Sequence, residues 1–192
     1  MAAKVYTFHI SYEGLEDTIW RKVEVSSNYR LDQLGYTVLA AFDTMAYHIF
    51  SFCLDDRYYK FPDENGFSDG IDMATVKLVN IDLKIGNRIR MDYDYGTTHT
   101  FWLELTGIDD MQQGHGTRYP YITEGAGQGI IDDMSCNELI ELVKQIDKNG
   151  QTDEPIYYKK STIPWDYRRF DLQSLNVLLK GEIKMIEEGY QP

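Results

Sequence analysis

The stretch Arg88–Leu105, RIRMDYDYGTTHTFWLEL, constrains the fold more than any other part of the chain, because it sets a β-hairpin and limits its register. Ile89, Met91, Tyr93 and Tyr95 alternate with Arg88, Arg90, Asp92 and Asp94. Beyond Gly96, His99, Phe101, Leu103 and Leu105 alternate with Thr100, Trp102 and Glu104. Successive side chains on a strand point to opposite faces, so each run has one apolar and one polar face. A two-residue turn at Gly96-Thr97 would pair Tyr93 with Thr100 and set apolar against polar along the whole ladder. A three-residue connection, Gly96–Thr98, pairs Tyr93 with Phe101, Met91 with Leu103 and Arg90 with Glu104. A one-residue slip reverses every side chain, so this connection or an equivalent bulge is expected.

The flanking segments give the fold class. Lys4–Tyr12 alternates, with Tyr6, Phe8, Ile10 and Tyr12 on one face. After the Glu13-Gly14 turn, Thr18–Val25 places Ile19, Arg21, Val23 and Val25 on one side; the two runs read as an N-terminal hairpin at the sheet edge. Leu31, Leu34, Val38, Ala41 and Phe42 follow helical spacing with no evident N-cap. His48–Leu54 returns to strand character, and Asp55–Asp72 reads as an acidic surface excursion. A Gly-rich connection follows between Gly107 and Gly129. Ser135–Glu138 forms a capping box opening a helix on Leu139, Leu142, Val143 and Ile146, which Asn149-Gly150 stops. A last helix starts near Asp171, buries Leu172, Leu175, Leu178, Leu179, Ile183 and Ile186, and ends at Gly189. The expected architecture is α+β: one domain over residues 1–192, with three main helices on a mixed or antiparallel sheet.

Charge and cysteine content narrow the partners. Nineteen Lys and Arg against 31 Asp and Glu give a net charge of −12, which repels phosphate backbones and anionic membranes, so nucleic acid is an unfavoured partner. Cys53 and Cys136, with no CxxC pair and no four-cysteine set, suggest neither a zinc site nor a disulfide framework. No signal-peptide pattern opens the chain and no apolar run approaches the ~20 residues of a membrane span. A cytoplasmic location is the expectation. No cofactor motif is present; GAGQG at Gly125–Gly129 lacks the third glycine of a dinucleotide fingerprint and the Lys-Ser/Thr of a phosphate loop.

Four blocks, in order, resemble a known family. Ile19-Trp20-Arg21-Lys22-Val23 matches its I-W-R-R-I strand. Leu31 and Leu34 through Ala41-Phe42 to His48 and Phe52 match L-x-x-L followed by A-F-G-W-x-x-x-H-L-x-x-F. Tyr93-Asp94-Tyr95-Gly96 matches Y-D-F-G, and Phe170-Asp171 with Leu175-Asn176 matches the F-D…L-N of the closing helix. On these residues the chain resembles the ORF-three-like protein family first named from an Ri plasmid, whose members are also described as transposon accessory proteins, sometimes under a resolvase label. The resemblance implies an α+β fold opening with a hairpin and helix in the manner of a β-grasp, and no established activity. The family's G-W is here Asp43-Thr44. Its Asp, Trp and His beyond Y-D-F-G are here Thr97, His99 and Phe101, so roles of those residues do not carry over.

Candidate site residues fall into two sets. Asp92 and Asp94, at i and i+2, would share a face with carboxylates roughly 7 Å apart, and with His48 and His99 they are the acid–base candidates for a hydrolase-type enzyme. Against this, Arg90 and Glu104 fall beside the aspartates as a charged outer ladder, and no H-x-H, H-E-x-x-H or H-x-E pattern supports a metal. The second set is Trp20 and Trp102, which strand parity puts on polar faces with Arg90 and Asp92. Two large aromatics there either form a surface for a protein or small ligand, or are covered by a helix or the Trp165 loop. A non-catalytic binding module leads, with a hydrolase-type enzyme and a DNA-associated resolvase-like protein as alternatives. Nothing in the sequence specifies an oligomeric state.

Overall fold

In a computed structural model, residues 3–62, 69–112, 114–159 and 161–190 are described; part of the acidic excursion, residues 63–68, lies outside this set, as does Lys160. Alternation carries β1 (Lys4–Tyr12) and β2 (Trp20–Ser26) as an antiparallel pair, in which Phe8 faces Val23 and Ser11 faces Trp20. A helix follows, α1 (Leu31–Ala41). Its N-cap is Arg30, whose backbone N–H is taken by the Gln33 side chain (3.1 Å) while Asp32 accepts both from the Gln33 N–H (2.8 Å) and from the Arg30 guanidinium. This side-chain cap is why no Ser, Thr or Asn marked the start. Gly35 lets α1 lie against β3, since a Cβ there would sit 2.1 Å from the Phe50 ring.

Four further strands complete the middle of the chain: β3 (Phe50–Leu54), β4 (Arg57–Lys60), β5 (Ile71–Asp72) and β6 (Arg88–Tyr93). Next come β7 (His99–Asp110) and β8 (Tyr121–Ala126). Two expectations change here. The acidic excursion contains the strands β4 and β5, and the Gly-rich connection contains the end of β7 and all of β8. Both segments lack a clean apolar alternation, because β4, β5 and β8 are short and lie toward the sheet edges. All eight strands form one sheet in the order β5-β4-β3-β6-β7-β1-β2-β8, antiparallel except for the β4–β5 pair. The N-terminal hairpin is therefore interior: β1 is held between β7 and β2, and β8 covers β2.

The central hairpin keeps the expected face parity but not the expected pairs. Tyr93 faces His99, Met91 faces Phe101, Ile89 faces Leu103 and Arg88 faces Glu104. The ladder is shifted by two residues because the connection is five residues long, Asp94–Thr98. Asp94 and Thr98 both take left-handed backbone (φ 55° and 57°), the Thr98 N–H reaches the Asp94 carbonyl at 2.5 Å, and the Asp94 carboxylate accepts the Gly96 N–H at 3.0 Å. A two-residue shift leaves every side chain on its face, so hydrophobic pattern alone does not distinguish the two registers.

The helices α2 (Cys136–Asn149) and α3 (Leu172–Tyr190) join α1 around one hydrophobic core that includes the apolar sheet face. At α2 the capping box forms as expected, with Ser135 N–H on Glu138 (2.8 Å), and Gly150 ends the helix in left-handed conformation at φ 81°. The α3 helix runs past Gly189 to Tyr190, whose ring packs on Tyr36 and Phe50 and whose hydroxyl donates to the His48 carbonyl; these contacts hold the last turn. Of its expected buried residues, Leu179 and Ile186 are buried, whereas Leu178 is exposed. Asp171 caps the N-terminus through Ser174 N–H (3.0 Å). Asn176 then binds the edge strand β8: its carbonyl oxygen accepts from Ile122 N–H (2.9 Å) and its amide donates to Ile122 O (2.8 Å). An open strand edge invites unwanted pairing, and this side chain occupies it.

Candidate functional site

On the outer face of the sheet, adjacent strands align Cys53, Arg90, Trp102, Ser11 and Trp20 in one row. Trp20 and Trp102 are half-buried and flank the small Ser11. The Arg88 guanidinium lies over the Trp102 ring at 4.6 Å, the Trp102 indole N–H donates to Glu13 (3.1 Å), and the His9 ring is 5.1 Å from Trp20. Arg90 pairs with Asp92 at 3.0 Å, and Asp92 also accepts from the Thr100 hydroxyl at 2.9 Å. The Trp165 loop does not cover this face: Trp165 is buried in the core and donates to the Gly129 carbonyl at 2.8 Å.

The acid–base candidates separate. Asp92 lies on this outer face, while Asp94 leaves the strand and turns inward, so the two carboxylates do not share a face as expected. The left-handed backbone at Asp94 breaks the strand alternation that the expectation assumed. Asp94 meets His48, with His48 Nε2 at 3.6 Å from Asp94 Oδ2. Burial acts to raise the Asp94 carboxyl, but hydrogen bonds from Gly96 and Thr97, together with the nearby His48, outweigh it and hold the group below the usual carboxylate range. His99 is fully buried, and the Tyr93 ring stands 6.0 Å from the rings of both His48 and His99. His99 Nε2 is 2.8 Å from the Asp132 carbonyl, which only accepts, so Nε2 carries a hydrogen; Nδ1 is bonded to the Tyr12 hydroxyl at 2.9 Å.

Asp132 is the group that sequence reading missed. It is 1% exposed, and its carboxylate takes the hydroxyls of Tyr93 and Tyr158, each at 2.6 Å, and the Met45 N–H at 2.9 Å. Burial, reinforced by the Asp132 charge, pushes both tyrosines well above the usual phenol range. These bonds tie β6 and the 150s loop to the segment between α1 and β3. The network is closed: each oxygen of Asp132 has its donor, as a buried carboxylate requires. The sequence offers Asp132 and Asp133 side by side after two isoleucines, with no mark of which one is drawn inward.

Arg21 is the second buried group of note. It is 2% exposed and lies between the Phe42 and Phe170 rings, at 5.0 and 4.6 Å from their centroids. Its Nε donates to Ala41 O (3.0 Å), Nη1 to Trp20 O (2.8 Å) and Ala126 O (2.5 Å), and Nη2 to Gly127 O (2.8 Å). Burial without a paired carboxylate drives its affinity for the proton down, to about 9. The signal was visible in sequence as an arginine on the apolar face of β2.

Among the described residues no three His, Cys, Asp or Glu side chains converge as metal ligands, and no helix is long and apolar enough to cross a membrane. No curated protein matches the chain. A solved protein of unknown function from Methanosarcina mazei Go1, MM3350, is similar in structure, with a TM-score of 0.72 and 20% identity over 90% of this chain and 97% of that one. That likeness establishes the fold. The plasmid pRiA4b ORF-3-like protein family matches residues 4–177, spanning all eight strands, α1, α2 and the start of α3, and the chain belongs to that family.

Proposed function

We propose that the chain is a single-domain, cytoplasmic, non-catalytic binding module whose recognition surface is the outer sheet face centred on Trp20 and Trp102, with Arg90 and Asp92 at its side. The observation that carries this reading is the contrast between the two candidate sets. The buried candidates Asp94 and His99 are engaged in internal bonds, whereas two half-exposed indoles stand in register across three strands. Aromatic side chains bearing a polar tip supply most of the energy at protein interfaces. The mixture of Arg88, Arg90 and Lys22 with Glu104, Asp92 and Glu124 on these and the adjoining strands suits a protein partner or small ligand better than a nucleic acid. The family's plasmid origin suggests an accessory role for a mobile element as the setting.

The test compares ligand capture by wild-type protein with capture by Trp102→Ala and by Trp20→Ala, each checked by urea melt. Capture should be lost while cooperative unfolding persists; retained capture in both variants overturns the choice of surface. One observation favours a hydrolase-type alternative, the approach of His48 to Asp94 at the sheet rim. Turnover of an ester or phosphoester that disappears in His48→Ala would establish that alternative in place of the binding reading.

A further inference from the structure

At the C-terminal end of α1 a cavity of about 220 Å³ opens between Gly127–Gly129 and the start of α3, lined among others by Arg21, Arg169, Asp43, Phe170 and Asp171. From its lining we propose that this cavity binds a small oxyanion, a phosphate or a carboxylate group, held by Arg21 and Arg169. The site is separate from the outer sheet face and does not depend on the reading given above.

Three features support it. In a chain of net charge −12, two guanidinium groups line one small cavity, and among the described residues neither has a carboxylate within 4 Å. Arg21 spends four N–H groups on backbone carbonyls, and a guanidinium carries five, so among the described residues one remains on Nη2. Among the described residues the Arg169 side chain gives a single bond, from Nη1 to Pro164 O at 2.6 Å. The two acidic residues of the lining are already engaged: Asp43 binds Lys159 at 2.6 Å, and Asp171 takes the N–H and hydroxyl of Ser174 at 3.0 and 2.7 Å. Counting Arg21, Arg169 and Lys159 against Asp43 and Asp171 leaves one positive charge. Phe42 and Phe170 keep water from the Arg21 guanidinium, and a charge in such surroundings attracts its counter-ion more strongly than one in bulk solvent. Planar guanidinium forks match the geometry of phosphate and carboxylate oxygens.

The experiment is calorimetric titration of the full chain with inorganic phosphate and, separately, with malonate, at low ionic strength against a matched chloride control. Saturable binding of either anion is expected: phosphate alone identifies a phosphoryl ligand, malonate alone a carboxylate, and both a general oxyanion site. Arg169→Ala, at an exposed position, should weaken binding at least tenfold. Asp171→Asn keeps a helix-capping side chain and removes a negative charge, so it should tighten binding severalfold. Heat no greater than the chloride control for both anions, unchanged affinity in Arg169→Ala, or no tightening in Asp171→Asn overturns the proposal.

Discussion

Asn176 exchanges two hydrogen bonds with the backbone of Ile122, so that one carboxamide on α3 stands where a ninth strand would pair with β8. Its amide also donates to Leu172 O at 3.1 Å within its own helix, which fixes the rotamer that makes the bridge possible. Helix α3 thus serves the sheet by its polar contact as well as by Leu179 and Ile186, which it buries.

Replacing Asn176 by Ala should leave both backbone groups of Ile122 without this partner and cost ~1–3 kcal/mol. A urea melt measures the loss. Amide exchange at Ile122 should accelerate more than at Val23, its neighbour across the ladder. Equal protection at Ile122 in variant and wild type would show that the bridge does not form.

Trp102→Ala should cost about 1–2 kcal/mol, less than the ~3–5 kcal/mol of a fully buried aromatic, because the indole is half-exposed and loses mainly the Arg88 stack and the Glu13 bond. Trp20→Ala should cost less again, since its ring contact is with the half-exposed His9. A loss of the fully buried size at Trp102 in an equilibrium melt would mean that the outer face is covered in solution.

Asp94 gives the chain an acid limit. Its folded-state affinity for the proton lies below the ordinary value of 3.8, so in the window between the two values the unfolded state binds more protons and stability rises with pH. The contribution is complete above that ordinary value and is lost as pH falls through the folded one. Thermal melts from about pH 2 to 6 should show a shallower acid slope for Asp94→Asn than for the wild type. An unchanged slope would remove Asp94 from the account.

Tyr93→Phe and Tyr158→Phe each withdraw one donor from the same buried carboxylate, and each should cost ~1–3 kcal/mol. The double variant leaves Asp132 with the Met45 N–H and should lose more than the sum, with a coupling of at least ~0.5 kcal/mol in a double-mutant cycle. Strict additivity would mean that the two hydroxyls do not share a charge.

Local rules made some of this legible and long-range geometry hid the rest. The Ser135–Glu138 box and the Gly150 stop are written within a few residues, and both form. Parity placed Met91, Phe101 and Leu103 on the buried face, but the same parity permits a two-residue shift, and only the loop closed by the Asp94 carboxylate selects the observed pairs. Alternation alone puts Tyr95 on the apolar face, yet it is half-exposed in that loop, because the strand ends at Tyr93. The pairing of His48 with Asp94 joins two segments 46 positions apart, which no spacing rule anticipates. Arg21 was readable as an anomaly, but its acceptors on Ala41 and on Ala126-Gly127 come from two segments distant from it in sequence.

The central place of β1 has a consequence for how the chain is made. Phe8 pairs with Leu105, so β1 leaves the ribosome well before its partner about a hundred residues later, and such non-local closure slows folding. Until β7 emerges, β1 has only β2 beside it, and a two-stranded ribbon is marginal in water. A nascent chain stalled before His99 would therefore present Phe8, Ile10 and Tyr12 to solvent, and holdases would meet this protein through β1.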